Sequence, residues 1–168
     1  MKTYKMDAVE YIAKLSDGGM RDALSFLDKC LAYNPDLTLE NVVAALGTVD
    51  YDIMIALTHN IIHKESKSII EIIENIHAGG KELKTFLRQY VQFLLDVSKY
   101  GLGCDWKYIS LPRLEEYEKW MKALKDDDYK DIENLLTCLI HLNSNIKYSS
   151  MAKMDIQTAL LLFIKEEK

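Results

Sequence analysis

The sequence predicts an all-helical protein. Apolar residues recur at helical spacing along nearly all of the 168 residues, and no stretch of useful length alternates between apolar and polar residues as a strand would. Only two prolines occur, Pro35 and Pro112, so long helices can run unbroken between them. Because 49% of the residues are hydrophobic, the chain can bury a core and is expected to be globular.

The first two helices are delimited by capping residues. Asp7 and Glu10 resemble an acidic capping box, which predicts that the first helix begins at Asp7. Gly18-Gly19 ends this helix, because glycine tolerates the left-handed conformation common at a helix C-terminus. The second helix begins near Met20 and stops before Asn34-Pro35. The predicted buried faces are Ala8, Ile12 and Leu15, and then Ala23, Leu24, Leu27 and Leu31.

A third short helix completes an N-terminal unit. Thr38 is a suitable N-cap, and Gly47 closes the helix. Its apolar face is Leu39, Val42, Val43 and Leu46.

Six longer helices are predicted after Asp50. Gly79-Gly80 ends the fifth and Gly101 with Gly103 ends the sixth, Pro112 suits the first turn of the seventh, and Asp126–Asp128 separates the seventh from the eighth. The ninth starts near Ser150. The predicted apolar faces, in order, are Ile53, Ala56, Leu57 and Ile61; Ile69, Ile70, Ile73 and Ile76; Leu83, Phe86, Leu87, Tyr90, Val91 and Leu94; Leu114, Tyr117, Met121 and Leu124; Ile132, Leu135, Leu136 and Leu139; and Met154, Leu161 and Ile164.

Composition argues against several classes of protein. The net charge of −5 disfavours a domain that grips nucleic acid by itself, because phosphate neutralisation needs a basic surface. The three cysteines, Cys30, Cys104 and Cys138, are far apart, which disfavours a disulfide framework or zinc ribbon and fits a reducing cytoplasm. Nothing resembles a signal peptide, and the apolar run Ala159–Ile164 is too short to span a bilayer. A cytoplasmic protein is therefore expected.

Catalytic and metal sites are not expected in this chain. There is no G-x-x-x-x-G-K-[ST] loop to cradle a triphosphate, so we expect no ATP hydrolysis by the chain alone and no bound cofactor. His59 and His63 have the i, i+4 spacing of two metal ligands, but no third ligand is evident and surface histidines are favoured. Asp126–Asp128 lacks the glycine and distal glutamate of a calcium loop.

One segment, residues 18–29, indicates a specific role. Arg21 stands in the first turn of a helix just after a double glycine, where an always-charged guanidinium can reach a phosphate outside its own domain. The alternative is an arginine that pairs with Asp22, Asp28 or another carboxylate. Spacing alone does not decide between these two roles.

The same segment closely resembles the sensor-2 motif of bacterial DNA polymerase III gamma/tau clamp-loader subunits. The family pattern G-S-x-R-D-A-L-S-x-L-D-Q is read here as Gly18, Gly19, Met20, Arg21, Asp22, Ala23, Leu24, Ser25, Phe26, Leu27, Asp28 and Lys29, with Gly19 in place of serine and Lys29 in place of glutamine. Residues 39–47 look like the family's next lid helix. Residues 76–86, 146–150 and 156–161 are similar to its collar segments, so the resemblance covers nearly the whole chain.

The resemblance implies a division of labour. Residues 1–49 would be a three-helix AAA+ lid, and residues 50–168 a helical-bundle collar that assembles subunits into a ring. Arg21 would sense the nucleotide, supported by Gly18, Gly19, Asp22, Ala23 and Leu24. The ATP-hydrolysing core would be missing, through expression of a fragment or natural truncation, and ATP with Mg²⁺ would belong to the full-length subunit. Implied partners are other loader subunits, the sliding clamp and primer-template DNA, with no membrane.

Two alternatives stay open. The chain could be a helical adaptor without ATPase ancestry, in which Arg21 is structural. It could also be the lid and collar of another AAA+ loader, such as a delta-prime-like subunit, although the intact run Arg21–Ser25 favours gamma/tau.

Overall fold

The computed structural model describes residues 3–46 and 50–166. In those residues the chain forms nine α-helices and a single 3-10 helix, and the strand-like pairing is limited to an isolated parallel bridge between Tyr4 and Leu37. The predicted all-helical fold is confirmed. The helices are α1 (Met6–Leu15), α2 (Met20–Tyr33), α3 (Leu39–Leu46), α4 (Tyr51–Ile62), α5 (Ser66–Ala78), α6 (Leu83–Gly101), the 3-10 helix (Trp106–Tyr108), α7 (Glu115–Ala123), α8 (Asp126–Ile146) and α9 (Ala152–Glu166).

The chain divides into two compact units that are not continuous in sequence. The first contains the described residues of Met1–Val49 together with Asp105–Ala123, and the second contains Asp50–Cys104 together with the described residues of Leu124–Lys168. The sequence-based division after residue 49 recurs as one boundary. Residues 105–123, which the sequence placed in the second domain, instead fold with the first unit, because apolar periodicity predicts a helix but does not say which core it joins.

The first unit is built on a tight turn between α1 and α2. Asp17 and Gly18 both have positive φ (45° and 77°), and Gly19 returns to an extended conformation as the N-cap of α2. The predicted break between the first two helices at Gly18-Gly19 is confirmed, but α1 already ends at Leu15 and the first left-handed residue after it is Asp17. Buried side chains from all three N-terminal helices form the core of this unit: Ala8, Tyr11, Ile12, Cys30, Leu39, Val42 and Leu46.

The predicted caps of the first unit have mixed outcomes. The Asp7–Glu10 capping box is wrong, since α1 begins one residue earlier at Met6, its N-cap makes no side-chain hydrogen bond, and the Asp7 carboxylate accepts from its neighbour Ala8 N at 2.8 Å. Thr38 is confirmed as the N-cap of α3, where its hydroxyl oxygen accepts from Asn41 N at 3.3 Å. The predicted closing residue, Gly47, lies outside the described residues.

The second unit is organised around α6 and α8, which form its most extensive helix pair. Glu82 caps α6 by accepting from Lys84 N and Thr85 N, and α5 ends at Gly79-Gly80 as predicted, with Gly80 at φ 78°. The α6 side chains that the core buries are Leu83, Phe86, Leu87, Tyr90, Phe93, Leu94 and Val97.

Several local predictions for the later helices are corrected. Pro112 is buried in the segment that precedes α7 and is not in its first turn, because α7 begins at Glu115. Asp126–Asp128 is the acidic first turn of α8, where it complements the helix dipole, and it is not a linker. The start of α9 is Ala152, two residues after the predicted Ser150. Residues predicted to be core but exposed in the structure are Leu24, Ala56, Met154 and Leu161.

Within the described residues, no single helix is long and apolar enough to cross a membrane, and only the bent pair Leu39–Leu46 and Tyr51–Ile62, taken together, has the length and composition of a span.

Candidate functional site

The structure places Arg21 in the first turn of α2, directly after a rigid turn. Gly19 N donates to Ser16 O at 2.8 Å, and the buried Ser16 hydroxyl donates to Ala13 O at 2.9 Å. Gly19 supplies no side-chain cap, so backbone N–H groups of the first turn stay unoccupied by a side chain. Both the unbonded N–H groups and the helix dipole favour an anion at this end of α2.

Arg21 is exposed and takes part in none of the salt bridges found among the described residues. Asp22 and Asp28, the carboxylates considered as structural partners from the sequence, are also exposed. The guanidinium thus points away from the core of the first unit. Its geometry fits contact with an anion outside this unit, and no local ion pair holds it.

The neighbours of Arg21 in the motif differ in burial. Gly18 and Asp22 are exposed, whereas Gly19 and Ala23 are half-buried. Gly18 needs its positive φ, and a Cβ on Gly19 would lie 3.1 Å from Ser16 O, which is crowded. This crowding gives a local reason for glycine at the position where the resembling family has serine.

An apolar surface beside Arg21 was missed in the sequence. Met20 is 73% exposed and Leu24, predicted as core, is 53% exposed, so the two flank Arg21 one helical turn apart on the outside of α2. The sequence does contain a signal for this surface, because α2 carries apolar residues on more than one side. In the structure Cys30 is the one fully buried residue of this helix. A helix of this kind needs a second partner to cover its outer face.

In the second unit, α9 presents apolar side chains on two opposite sides. Ile156, Leu160 and Ile164 point into the core. On the other side a stripe of large apolar residues stays exposed, and it consists of Met154, Leu161 and Leu162 on the helix and Met151 just before it. The Glu74 carboxylate on α5 accepts from Lys153 Nζ at 3.1 Å and from Gln157 Nε2 at 2.8 Å, which fixes the orientation of α9 about its axis.

The described part of the chain contains no cluster of three His, Cys, Asp or Glu side chains that could hold a metal. The His59 and His63 rings lie 4.1 Å apart, and His63 Nδ1 is 2.8 Å from His59 O, so His63 caps the end of α4. Burial raises the pKa of the Cys30 and Cys138 thiols, which disfavours the reactive thiolate.

Comparison with known proteins identifies the class of the first unit. Residues 2–35 match a protein-family model described as the ATPase lid domain of a DNA polymerase III clamp loader subunit. The match includes α1, α2 and the turn that carries Arg21. The first unit therefore contains a clamp-loader ATPase lid domain.

Curated relatives extend the similarity over most of the chain. It is 24% identical over 160 residues to DNA polymerase III subunit tau of Escherichia coli (strain K12), which covers 92% of this chain and 24% of the relative. It is 24% identical over 166 residues to DNA polymerase III subunit gamma of Buchnera aphidicola subsp. Acyrthosiphon pisum, which covers 95% of this chain and 45% of the relative. The chain is a homologue of the gamma/tau clamp-loader subunits, and it spans from a quarter to just under half of the length of these two relatives.

Proposed function

We propose that this chain is the lid and collar of a gamma/tau-type clamp-loader subunit, and that Arg21 senses the nucleotide bound by an ATPase core. In this proposal the guanidinium contacts a phosphate of ATP, and loss of that phosphate releases the lid. Binding energy is thereby converted into a rigid-body movement of the lid. The chain would carry no catalytic residue of its own, and ATP with Mg²⁺ would be held by the full-length subunit.

One observation carries this proposal. Arg21 is exposed, without an ion pair among the described residues, at the N-terminus of a helix inside the matched lid segment. A structural arginine would instead be tied to a carboxylate of its own unit. The exposed Met20 and Leu24 support the same reading, because a lid that closes on a core needs apolar surface around its sensing group.

The second unit is proposed to be the collar. The exposed stripe of α9 supports this role, because an uncharged apolar strip of this length on a folded unit marks a contact with another protein. Its partners would be other loader subunits, and the sliding clamp and primer-template DNA would be reached through the whole complex. The proposed site of action is the bacterial cytoplasm, where DNA is replicated.

The test uses a complete subunit in which this chain is joined to its ATPase core. Arg21→Ala should weaken ATP-dependent clamp opening by roughly 10- to 150-fold, the equivalent of about 1.5–3 kcal/mol for one charge-assisted contact. The melting temperature should barely change, because Arg21 is exposed and surface substitutions usually shift stability by about 0.5 kcal/mol or less.

Lys29→Ala is the matched control, since Lys29 is an exposed cation on the same helix but lies eight residues after Arg21, in the second half of the helix. It should leave ATP-dependent loading unchanged. A subunit whose melting collapses with Arg21→Ala while loading is untouched would show that Arg21 is structural, and the sensing role would be lost.

A further inference from the structure

The most unusual feature of the topology is a segment that packs in the first unit but lies, along the sequence, between two parts of the second unit. The chain leaves the second unit after Cys104, folds residues Asp105–Ala123 into the first unit, and returns at Leu124. We call Asp105–Ala123 the inserted segment. The chain therefore passes between the units three times, at residues 49–50, 104–105 and 123–124.

The inserted segment is fixed to the first unit by both polar and apolar contacts. The Lys14 ammonium at the end of α1 donates to Ile109 O at 3.0 Å and to Trp106 O at 3.4 Å. The apolar side chains that the segment buries are Ile109, Leu111, Leu114, Tyr117 and Met121. Burial of apolar side chains is the main favourable contribution to folding, so the segment is held far more strongly than a mobile loop.

Local contacts also give the inserted segment its own shape. Asp105 caps the 3-10 helix by accepting from Lys107 N at 2.9 Å, and the Arg113 guanidinium lies 5.1 Å from the centre of the Trp106 ring. Arg113 Nε also lies 3.6 Å from a Glu118 carboxylate oxygen at the start of α7. These contacts join the 3-10 helix to α7, so the segment is a defined piece of structure.

The inserted segment is flanked in the sequence by two helices of the second unit that pack closely against each other. The segment follows α6 and precedes α8, and Gly101, the last residue of α6, lies directly against the Tyr129 ring in the first turn of α8. A Cβ on Gly101 would stand 2.5 Å from that ring, so only glycine allows this approach. The two points at which the segment leaves and re-enters the second unit are thus held together by the α6–α8 contact.

We infer that the inserted segment is a permanent part of the arginine-bearing unit and opens and unfolds together with it. The Lys14 ammonium holds two backbone carbonyls of the segment, and the segment's apolar side chains are buried. A segment held in this way shares the stability of the unit in which it packs. This inference does not depend on the proposed sensing function.

The sequence provides a selective probe of the inserted segment. Its two tryptophans, Trp106 and Trp120, both lie in the segment, so intrinsic tryptophan fluorescence reports on this piece alone. Ile12→Val weakens the core of the first unit, and Ile73→Val removes the same methyl group from a buried position of the second. The pair is therefore matched in chemistry and differs in the unit that is perturbed.

The experiment measures urea unfolding by tryptophan fluorescence and amide hydrogen exchange on the whole chain. Ile12→Val should lower the fluorescence midpoint and speed exchange of residues 105–123 and of α1–α3 by the same factor, between about twofold and about 13-fold. Ile73→Val should speed exchange in the second unit and leave residues 105–123 unchanged. The inference would be overturned if Ile73→Val sped up amide exchange of residues 105–123. It would also be overturned if these residues exchanged as fast as an unfolded segment in the wild type.

A second pair of variants tests the attachment itself. Lys14→Met keeps the aliphatic stem but removes the donor to Trp106 O and Ile109 O, so it should speed exchange of the inserted segment and make its tryptophans more accessible to a quencher. Lys29→Met, on the exposed face of α2, should do neither. Equal effects of the two variants would contradict the inference. Neither measurement involves nucleotide, so its failure is separate from failure of the Arg21 test.

Discussion

Thr58→Val should destabilise the protein more than Tyr90→Phe, although both remove the same buried hydrogen bond. The Thr58 hydroxyl donates to Met54 O at 2.8 Å and lies 2.9 Å from the Tyr90 hydroxyl, so Tyr90 is the donor of the second bond. Phenylalanine leaves Thr58 with its bond to Met54 O, and the cost should be that of one net hydrogen bond, about 0.5–1.5 kcal/mol. Valine instead leaves the buried Tyr90 hydroxyl without its Thr58 acceptor, which should lower the free energy of unfolding by about 1–3 kcal/mol or more.

Urea unfolding monitored by circular dichroism measures this difference. The double variant Thr58→Val/Tyr90→Phe is the control, because it removes both polar partners and should be more stable than Thr58→Val alone. If Tyr90→Phe is as harmful as Thr58→Val, or if the double variant loses the sum of the two effects, the assignment of Tyr90 as donor is wrong.

The pH dependence provides a second readout of the same pair. Burial raises the pKa of the Tyr90 hydroxyl above its ordinary value of 10.0, and the bond with Thr58 opposes this only in part. A folded-state pKa above the unfolded value gives stability that is present below pH 10 and is lost as the pH rises above it. Tyr90→Phe should therefore lose less stability than the wild type between neutral and strongly alkaline pH.

Two further predictions concern a helix cap and the outer surface of α9. Glu82→Ala should destabilise α6 by about 0.5–2 kcal/mol at neutral pH, measured by thermal melting, because Glu82 accepts from Lys84 N, Thr85 N and Thr85 Oγ1. The hydrogen bond from the Thr85 side chain is the main cause that lowers the Glu82 pKa. The stability that Glu82 provides is therefore present above its ordinary pKa of 4.5 and is lost as the pH falls below that value. A wild type that keeps its advantage over Glu82→Ala at low pH would contradict the assignment. The wild-type chain should self-associate weakly in sedimentation experiments. Leu162→Glu should abolish this association because it places a charge in the exposed apolar stripe of α9. Ala56→Glu, on the exposed side of α4, is the control and should leave the association unchanged. A wild type that stays monomeric at high concentration and binds no loader subunit would count against the collar assignment.

Local signals in the sequence predicted most of the helix boundaries. Gly18-Gly19, Thr38 and Gly79-Gly80 mark helix ends in the structure as they do in the sequence, because capping depends on residues within one turn of the helix end. The placement of Arg21 in a first turn was predicted for the same reason. The Asp7–Glu10 pair failed because an acidic residue is also stable inside the first turn, where it meets the helix dipole without capping the helix.

Features that depend on distant parts of the chain were not predictable from the sequence. Nothing near residue 105 indicates that Lys14, more than 90 residues away, donates hydrogen bonds to Trp106 O and Ile109 O. Likewise, the sequence predicts only that Gly101 lies at the end of a helix. The close approach of the Tyr129 ring to Gly101 is visible only in the three-dimensional structure. The exposure of Arg21 follows from the fold, but its role as a phosphate sensor remains a prediction.

The helix α9 shows why apolar periodicity could identify a helix but not its buried face. Met154 and Leu161 match the helical period as well as Ile156 and Leu160 do, so the sequence allows either set to face the core. The structure buries Ile156 and Leu160, and the Glu74 contacts to Lys153 and Gln157 hold the helix in that orientation. The remaining apolar side then has no partner within the described part of the second unit. A helix that is apolar on both sides is typical of a buried helix. Its outer side is therefore best explained by contact with a second protein chain, which supports the proposed assembly role on grounds independent of the Arg21 motif.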